Sequence, residues 1–406
     1  MKRKLLGVIV LACASPLAVA QDFHAQGYLE LRVPAYDGND NSWTDGGLGK
    51  LRFGDEGDSV EPGGAVSVSW QMSNSFLAVV DLQGQGQTNP ELGVLSAWVR
   101  WRPVSTSAWR GSVRVGAFFP PVSLENDGVG WTSRYTLTPS AINSWVGEEL
   151  RTIGIEGRLE HRGEHGSFGG GIAAFKWNDP AGELMASRGW GMGDVTSPLN
   201  ATVRQPDVYS NVIFSQVPIQ YKPFVENDGT VGWHADIEWR STGGARLRAL
   251  RYDNRADPET YSHQAGRDVL SWHTKFDSVG AEVPVGPVLL IAQWLGGTTA
   301  IEPAPDFYIE SRYHATFLLA SWERGAWRPA LRYDHFTVSQ TPDFIGDDLE
   351  EDGHAWTAAL NWRPREWLRL TVEWLRIDST RTQRVLEGLS PRQREDLLQL
   401  NLRYQF

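Results

Sequence analysis

The chain has 406 residues, 38 Lys+Arg against 49 Asp+Glu, a net charge of -11 and one cysteine, with 41% hydrophobic and 21% charged residues. This balance fits neither a disordered chain nor a polytopic helical membrane protein, and the acidic excess argues against a nucleic-acid binder, which carries a basic stripe. Length alone allows two or three soluble domains, but 19 Trp, more than either Tyr or Phe, is unusual for them.

Taken in chain order, Lys2, Arg3 and Lys4 precede an apolar run at 5–12, and Ala18-Val19-Ala20 offers small residues for cleavage. That is the pattern of a secretory signal peptide over residues 1–20, its apolar run too short to span a bilayer. A lipoprotein cleavage site at Val10-Leu11-Ala12-Cys13 is the rival. Cleavage after residue 20 removes Cys13 as well, leaving no thiol for a disulfide in an oxidising compartment.

Beyond residue 20 the chain alternates. Val66, Val68 and Trp70 interleave with Ser67, Ser69 and Gln71, and Val113, Val115, Ala117 and Phe119 with Ser112, Arg114 and Gly116. Ile153, Ile155 and Leu159 interleave with Glu156, Arg158 and Glu160, and Trp233, Ala235, Ile237 and Trp239 with His234, Asp236, Glu238 and Arg240. The last segment runs Leu398, Leu400, Leu402, Tyr404, Phe406 against Gln399, Asn401, Arg403 and Gln405. Period 2 with one apolar and one polar face is a strand between two different media. Trp101, Trp109, Trp177, Trp233, Trp239, Trp327, Trp362 and Trp367 fall near predicted strand ends, where an indole suits a membrane–water interface. The expectation is a transmembrane antiparallel up-and-down β-barrel, with residues 21–406 as its single domain and Tyr404 and Phe406 resembling the signal read by the barrel-assembly machinery.

Loop lengths give the strand count. Short turns are expected at Ser73-Asn74, 104–108, 162–166, 242–244, 284–286, Arg324-Gly325 and Arg365-Glu366. Long connections are expected at 37–63, 85–93, 120–148, 178–231, 256–268, 299–311, 339–352 and 380–394. Short and long alternate, giving about sixteen strands. Residues 48–53 are assigned to the first long loop; eighteen strands follow if they and a segment at 211–217 both enter the sheet. Barrels of this size leave an aqueous channel, so passive passage of small hydrophilic solutes is the expected function, and no cofactor or metal is called for.

The third long loop begins with Pro120-Pro121, which cannot donate to a ladder, and carries Glu125, Asp127, Arg134, Glu148 and Glu149. Arg100, Arg102, Arg114, Arg246, Arg248, Arg332 and Arg363 occupy polar positions of predicted strands. Acids on the loop facing arginines on the wall would set up a transverse field that discriminates by charge; alternatively each is an ordinary paired or solvated residue.

The segment 114–126, Arg-Val-Gly-Ala-Phe-Phe-Pro-Pro-Val-Ser-Leu-Glu-Asn, followed by Leu137-Thr138-Pro139-Ser140, resembles the phosphate-selective porin O/P group of bacterial outer-membrane porins. The resemblance covers about a tenth of the chain and implies a loop folded into the lumen, a homotrimer in an outer membrane with lipopolysaccharide, and an anion- or phosphate-specific channel as the narrower alternative. Phosphate-selecting members use lysine- and arginine-rich constrictions, whereas this chain beyond residue 20 has four lysines, Lys50, Lys176, Lys222 and Lys275, and a third loop more acidic than basic.

Other chemistry is weakly indicated. His161 to His165 matches H-x-x-E-H, but Gly163 and Gly166 break the helix that this zinc motif needs. An outer-membrane hydrolase needs a Ser–His or Asp–His pair at the rim, and no G-x-S-x-G is present. The run Asp347-Asp348-Leu349-Glu350-Glu351-Asp352 offers cation bridging to lipopolysaccharide or a solvated loop face. A 22-stranded transporter with a plug domain needs a longer chain.

Overall fold

The computed structural model describes residues 22–54, 60–210, 215–264, 266–305, 307–341 and 350–406. The expected signal peptide at 1–20, residues 211–214 and Asp347 to Leu349 of the acidic run lie outside them. Sixteen strands close into one antiparallel barrel. They are β1 (Phe23–Asp37), β2 (Glu61–Gln71), β3 (Phe76–Gln85), β4 (Leu92–Trp101), β5 (Trp109–Phe118), β6 (Thr152–Gly163), β7 (Gly166–Lys176) and β8 (Gly232–Ser241). The second half comprises β9 (Arg246–Asp253), β10 (His273–Val285), β11 (Val288–Ala304), β12 (Phe307–Trp322), β13 (Trp327–Thr341), β14 (Glu351–Arg365), β15 (Leu368–Arg381) and β16 (Arg392–Gln405). Each pairs with its neighbours in sequence, and β1 closes on β16 from Tyr28↔Gln405 to Asp37↔Asp396.

Short turns gather at one end of the barrel and long connections at the other, called here the turn end and the loop end. In the tight turns after β10 and β12, Gly286 and Gly325 take φ of 60° and 58°, a left-handed conformation that a side chain disfavours. Residues 48–53 stay outside the barrel sheet; their isolated bridges, Ser42 to Gly49 and Leu51 to Met192, join loop to loop, while the N–H groups of Lys50 and Leu51 donate to Glu395 of β16. One expectation fails: no long loop spans 299–311. β11 and β12 continue to Ala304 and from Phe307, and a register shift between Ile301 and Ala304 takes up Pro303. The prolines look like loop signals, yet a bulge accommodates one inside a strand.

The outer wall is apolar. Leu398, Leu400, Leu402 and Tyr404 point outward and are exposed. Trp101, Trp109, Trp239, Trp327, Trp362 and Trp367 form an exposed ring at the turn end, with Trp177, Trp294, Trp356 and Trp374 exposed nearer the loop end. A continuous apolar belt between aromatic rings suits contact with lipid. Four tryptophans do otherwise: Trp43, Trp145, Trp190 and Trp272 are buried inside the barrel with its loops.

Phe406 closes the seam. Its N–H donates to Gly27 O at 3.0 Å and Gly27 N–H donates to Phe406 O at 2.9 Å. A Cβ on Gly27 would lie 2.7 Å from the Phe406 ring and 2.5 Å from Ala65 O. Gly27→Val is therefore expected to destabilise the barrel by about 1–3 kcal/mol through overpacking and to lower the fraction migrating as the folded, heat-modifiable band on gels. Phe406→Ala is expected to do the same, to a smaller degree, by removing the ring.

Candidate functional site

The barrel interior is divided. Loop 3 (119–151) and loop 4 (177–231) fold inward, and helices α1 (Ala141–Glu149) and α2 (Glu183–Ser187) are buried at every residue. Ser140 caps α1, its Oγ accepting from Asn143 N–H at 3.3 Å. At the other end of α1, Arg151 donates to the carbonyls of Leu150 at 2.6 Å and Gly147 at 3.3 Å, and to Ser197 O at 2.8 Å, satisfying groups that the helix leaves open. Trp145 then packs edge-on against Trp190, Phe276 and Tyr313, at centroid distances of 6.1, 5.5 and 5.2 Å. The wall facing these loops is apolar on its inner side too, with Ile291, Leu295, Phe317, Leu319, Phe336, Leu375 and Ile377 buried in one cluster with α1. Each such side chain contributes roughly 1.5–3 kcal/mol. The expected polar lumen is thus absent from this half, because the inserted loops make it a dry core.

Polar staples fix the loops to β9–β16. Arg332 on β13 donates to Asp334 at 2.7 Å, Thr138 O at 2.8 Å, Pro139 O at 3.0 Å, Thr136 Oγ1 at 3.1 Å, Thr357 Oγ1 at 3.2 Å and Glu125 at 3.4 Å. Glu373 on β15 accepts from the N–H groups of Leu137 at 2.5 Å and Thr138 at 3.0 Å. On β10 and β11, Thr274 and Thr299 bond each other, and Thr274 donates to Ala181 O of loop 4. At the loop end Lys50 pairs with Glu351 at 3.0 Å and Arg381 pairs with the same carboxylate at 2.9 Å.

The other half stays open. Ser67, Ser69, Asp81, Arg100, Ser112, Arg114, Arg158 and Glu160 face inward from β2–β6 and remain partly exposed. Two overlapping cavities of about 660 and 270 Å³ run along this wall, lined by Arg100, Arg102, Arg110, Arg114, Arg158, Arg162, Arg240 and Arg248 against Glu156, Glu160 and Glu238. Arg114 binds both oxygens of Glu156 at 3.0 and 3.1 Å, and Arg246 pairs with Glu238 at 2.9 Å. Arg100, Arg102 and Arg110 have no ion pair among the described residues. Eight lining guanidiniums against three lining carboxylates, with Asp81 and Asp236 also on this inner face, leave the wall net positive within an acidic chain.

Strand β7 explains part of the geometry. Gly171 stands opposite both Arg158 and Asp236 in its two registers, and Arg158 reaches across it to bond Asp236 at 2.6 and 2.8 Å. A Cβ on Gly171 would lie 2.7 Å from Arg158 Nη1 and 3.0 Å from Asp236 Oδ1. The bare strand lets partners two strands apart meet.

The predicted residues divide accordingly. Arg100, Arg102, Arg114 and Arg248 line the open half, and Arg246 joins them through Glu238. Arg332 and Glu125 are fully buried in the staple and face no water; the loop needed a buried anchor, and the alternation could not tell an anchor from a lumen wall. Asp127 and Arg134 pair with each other on an exposed part of loop 3. Arg363 opens onto a separate cavity at the turn end. Glu148 pairs with Arg188, while Glu149 accepts from Gly182 and Leu184 N–H at 3.1 and 3.0 Å. His161 packs at a tilt against Trp109 across the β5–β6 pair, and the H-x-x-E-H spacing runs from β6 through the β6–β7 turn. Glu351 is buried and Asp352 lies 3.5 Å from His335. Arg110, Arg158, Arg162 and Arg240 were missed, although polar positions alternating with Ile155, Leu159 and Trp239 could have marked three of them.

Two outcomes follow for the inserted loops. Arg332→Met is expected to cost about 3–5 kcal/mol of loop seating, because it leaves Asp334 and Glu125 without their cation; protease cleavage within 119–151 would accelerate while the barrel stays folded. Burial pushes the Glu148 carboxyl up to about 7 despite Arg188 beside it, and pushes Glu183 up to about 8. The seated loops therefore hold protons that released loops, with carboxyls near 4.5, give up. No penalty applies below that value, and seating weakens as pH rises towards 8. Limited proteolysis should accordingly be slower at about pH 5 than at about pH 8, and Glu183→Gln should flatten the dependence.

Comparison with known proteins agrees with this architecture. Residues 306–406 match the family described as phosphate-selective porin O and P. No curated protein matches the sequence. Among solved structures, the chain is similar to the outer membrane channel DcaP of Acinetobacter baumannii, at 11% identity and a TM-score of 0.55, covering 95% of this chain and 97% of that one. It is also similar to OmpF of Salmonella typhi, solved with daunomycin, at 12% identity, a TM-score of 0.52 and the same coverage. In-vitro folded OmpT, an outer membrane protein of Vibrio cholerae, gives 10% identity, a TM-score of 0.52 and again 95% and 97% coverage. The fold is that of a sixteen-stranded porin, and the chain resembles the phosphate-selective porin O/P group.

Proposed function

We propose that this protein is an outer-membrane channel that admits small hydrophilic solutes by passive diffusion, with a preference for anions. The observation that carries the proposal is the arginine-rich wall of the open half, since the opposite wall is covered by loops 3 and 4. Solutes would follow β2–β9, with loop 3 setting the width and the unpaired Arg100, Arg102 and Arg110 holding anions at the turn end. Fixed guanidiniums in a narrow, low-dielectric space raise the local concentration of anions and exclude cations. The match of the last strands to phosphate-selective porins supports an anion preference. The signal peptide at 1–20, delivery by the barrel-assembly machinery and residence beside lipopolysaccharide belong to the same proposal. So does a homotrimer, supported by a trimer form of Vibrio cholerae OmpT, at 10% identity and a TM-score of 0.50.

Planar-bilayer recording of the purified barrel tests this. Stepwise current is expected, with a reversal potential of anion sign in a potassium chloride gradient. Arg114→Glu, and more strongly Arg100→Glu with Arg102→Glu, should move that potential towards cations. Absence of current at every voltage and pH would overturn the channel reading and favour a membrane-embedded hydrolase.

A further inference from the structure

At the turn end, beneath the tip of loop 3, Arg369 on β15 is 5% exposed, and its Nε and Nη2 have no hydrogen-bond partner among the described residues. A buried guanidinium normally has a carboxylate or several carbonyls around it, because the desolvated charge is otherwise costly. Here the candidates are taken. Glu30, which faces this region from β1, accepts from Arg403 at 2.6 and 2.9 Å and from Arg32 at 3.1 Å. Arg369 instead lines a cavity of about 340 Å³ together with Arg134, Arg328, Arg363 and Arg365. Two carboxylates also line it, and of these Glu323 is held by Arg328, leaving Glu366 on the turn. Arg134 is held by Asp127.

We infer that this cavity is a binding site for a small oxyanion, with Arg369 at its floor and Arg363 and Arg365 at its mouth. An anion with two or more acceptor oxygens matches the planar fork of a guanidinium and would supply the counter-charge that Arg363, Arg365 and Arg369 lack among the described residues. The site shares no lining residue with the cavities along β4–β9. It sits on the wall that carries loop 3, and Arg328 donates to Arg134 O of that loop at 3.4 Å. A bound oxyanion would thus brace the loop's tip from below. The inference does not depend on whether the barrel conducts.

The test is thermal unfolding of the full barrel in detergent, with inorganic phosphate replacing chloride at constant ionic strength. Phosphate is expected to raise the apparent Tm of the unmodified protein by roughly 2 °C or more at saturation. Arg369→Met should abolish that shift while Arg251→Gln, in an exposed ion pair with Asp277 outside both cavities, retains it; Arg110→Gln reports on the other cavity. Arg363→Gln on the exposed rim covers the case in which Arg369→Met does not fold, and should need several-fold more phosphate for the same shift. No shift in the unmodified protein would overturn the inference. So would a shift retained in full by Arg369→Met and Arg363→Gln, or one lost only in Arg110→Gln.

Discussion

Everything in this structure follows from one requirement, that a sheet surrounded by an apolar medium has nowhere to leave an unpaired backbone group. Pairing β1 with β16 removes the last edge, and the Gly27–Phe406 exchange of hydrogen bonds completes it at the turn end. Closure then commits every strand to two faces and every face to one medium. The apolar outer belt and its tryptophan rings are the outward consequence. The inward consequence is less uniform, because closing sixteen strands creates more interior than side chains of the wall can fill.

Loops 3 and 4 fill half of that interior, and they do so with two kinds of force. The Trp145 cluster supplies non-directional burial, while Arg332, Glu373 and the Thr274–Thr299 pair fix where each loop segment lies. Such buried polar contacts add less net stability than apolar packing of equal volume, but breaking one partner is expensive, so they specify position. The open half is the complement of that placement. Arg100, Arg102 and Arg110 stay without an ion pair there among the described residues, while Arg248 is the point where loop 3 touches this wall, donating to Pro121 O and Ser123 O. The electrostatics of the lumen is therefore set by where the loops are fastened, on the far wall.

Much of the fold could be read from the sequence, since alternation such as Leu398 to Phe406 against Gln399 to Gln405 survives whatever lies inside the barrel. Turn glycines and the short-long rhythm of connections gave the count, and only the proline-rich hairpin at 299–311 misled. The interior was harder. Arg332 and Arg114 occupy equivalent alternating positions, and one becomes a buried staple while the other lines water. That difference depends on contacts between residues about two hundred positions apart, which no local pattern encodes. The inner apolar faces of β11–β13 were visible as runs such as Ala315 to Ala320 with few polar interruptions, a sign of a wall dry on both sides.

The bare inner face of β7 has a consequence for how such a channel can vary. Strand number fixes a barrel's girth in large steps, and each step rebuilds the whole sheet. At Gly169 and Gly171 the bore is instead set by the absence of side chains on one strand, with Arg158 and Asp236 spanning the gap. Adding a methyl at Gly171 would meet only the side chains of Arg158 and Asp236, narrowing the passage and parting their ion pair while pressing on no backbone atom of the ladder. Permeability can thus be graded residue by residue on an unchanged frame, and a lineage carrying this scaffold has a way to retune what enters while keeping intact the seam and belt on which assembly relies.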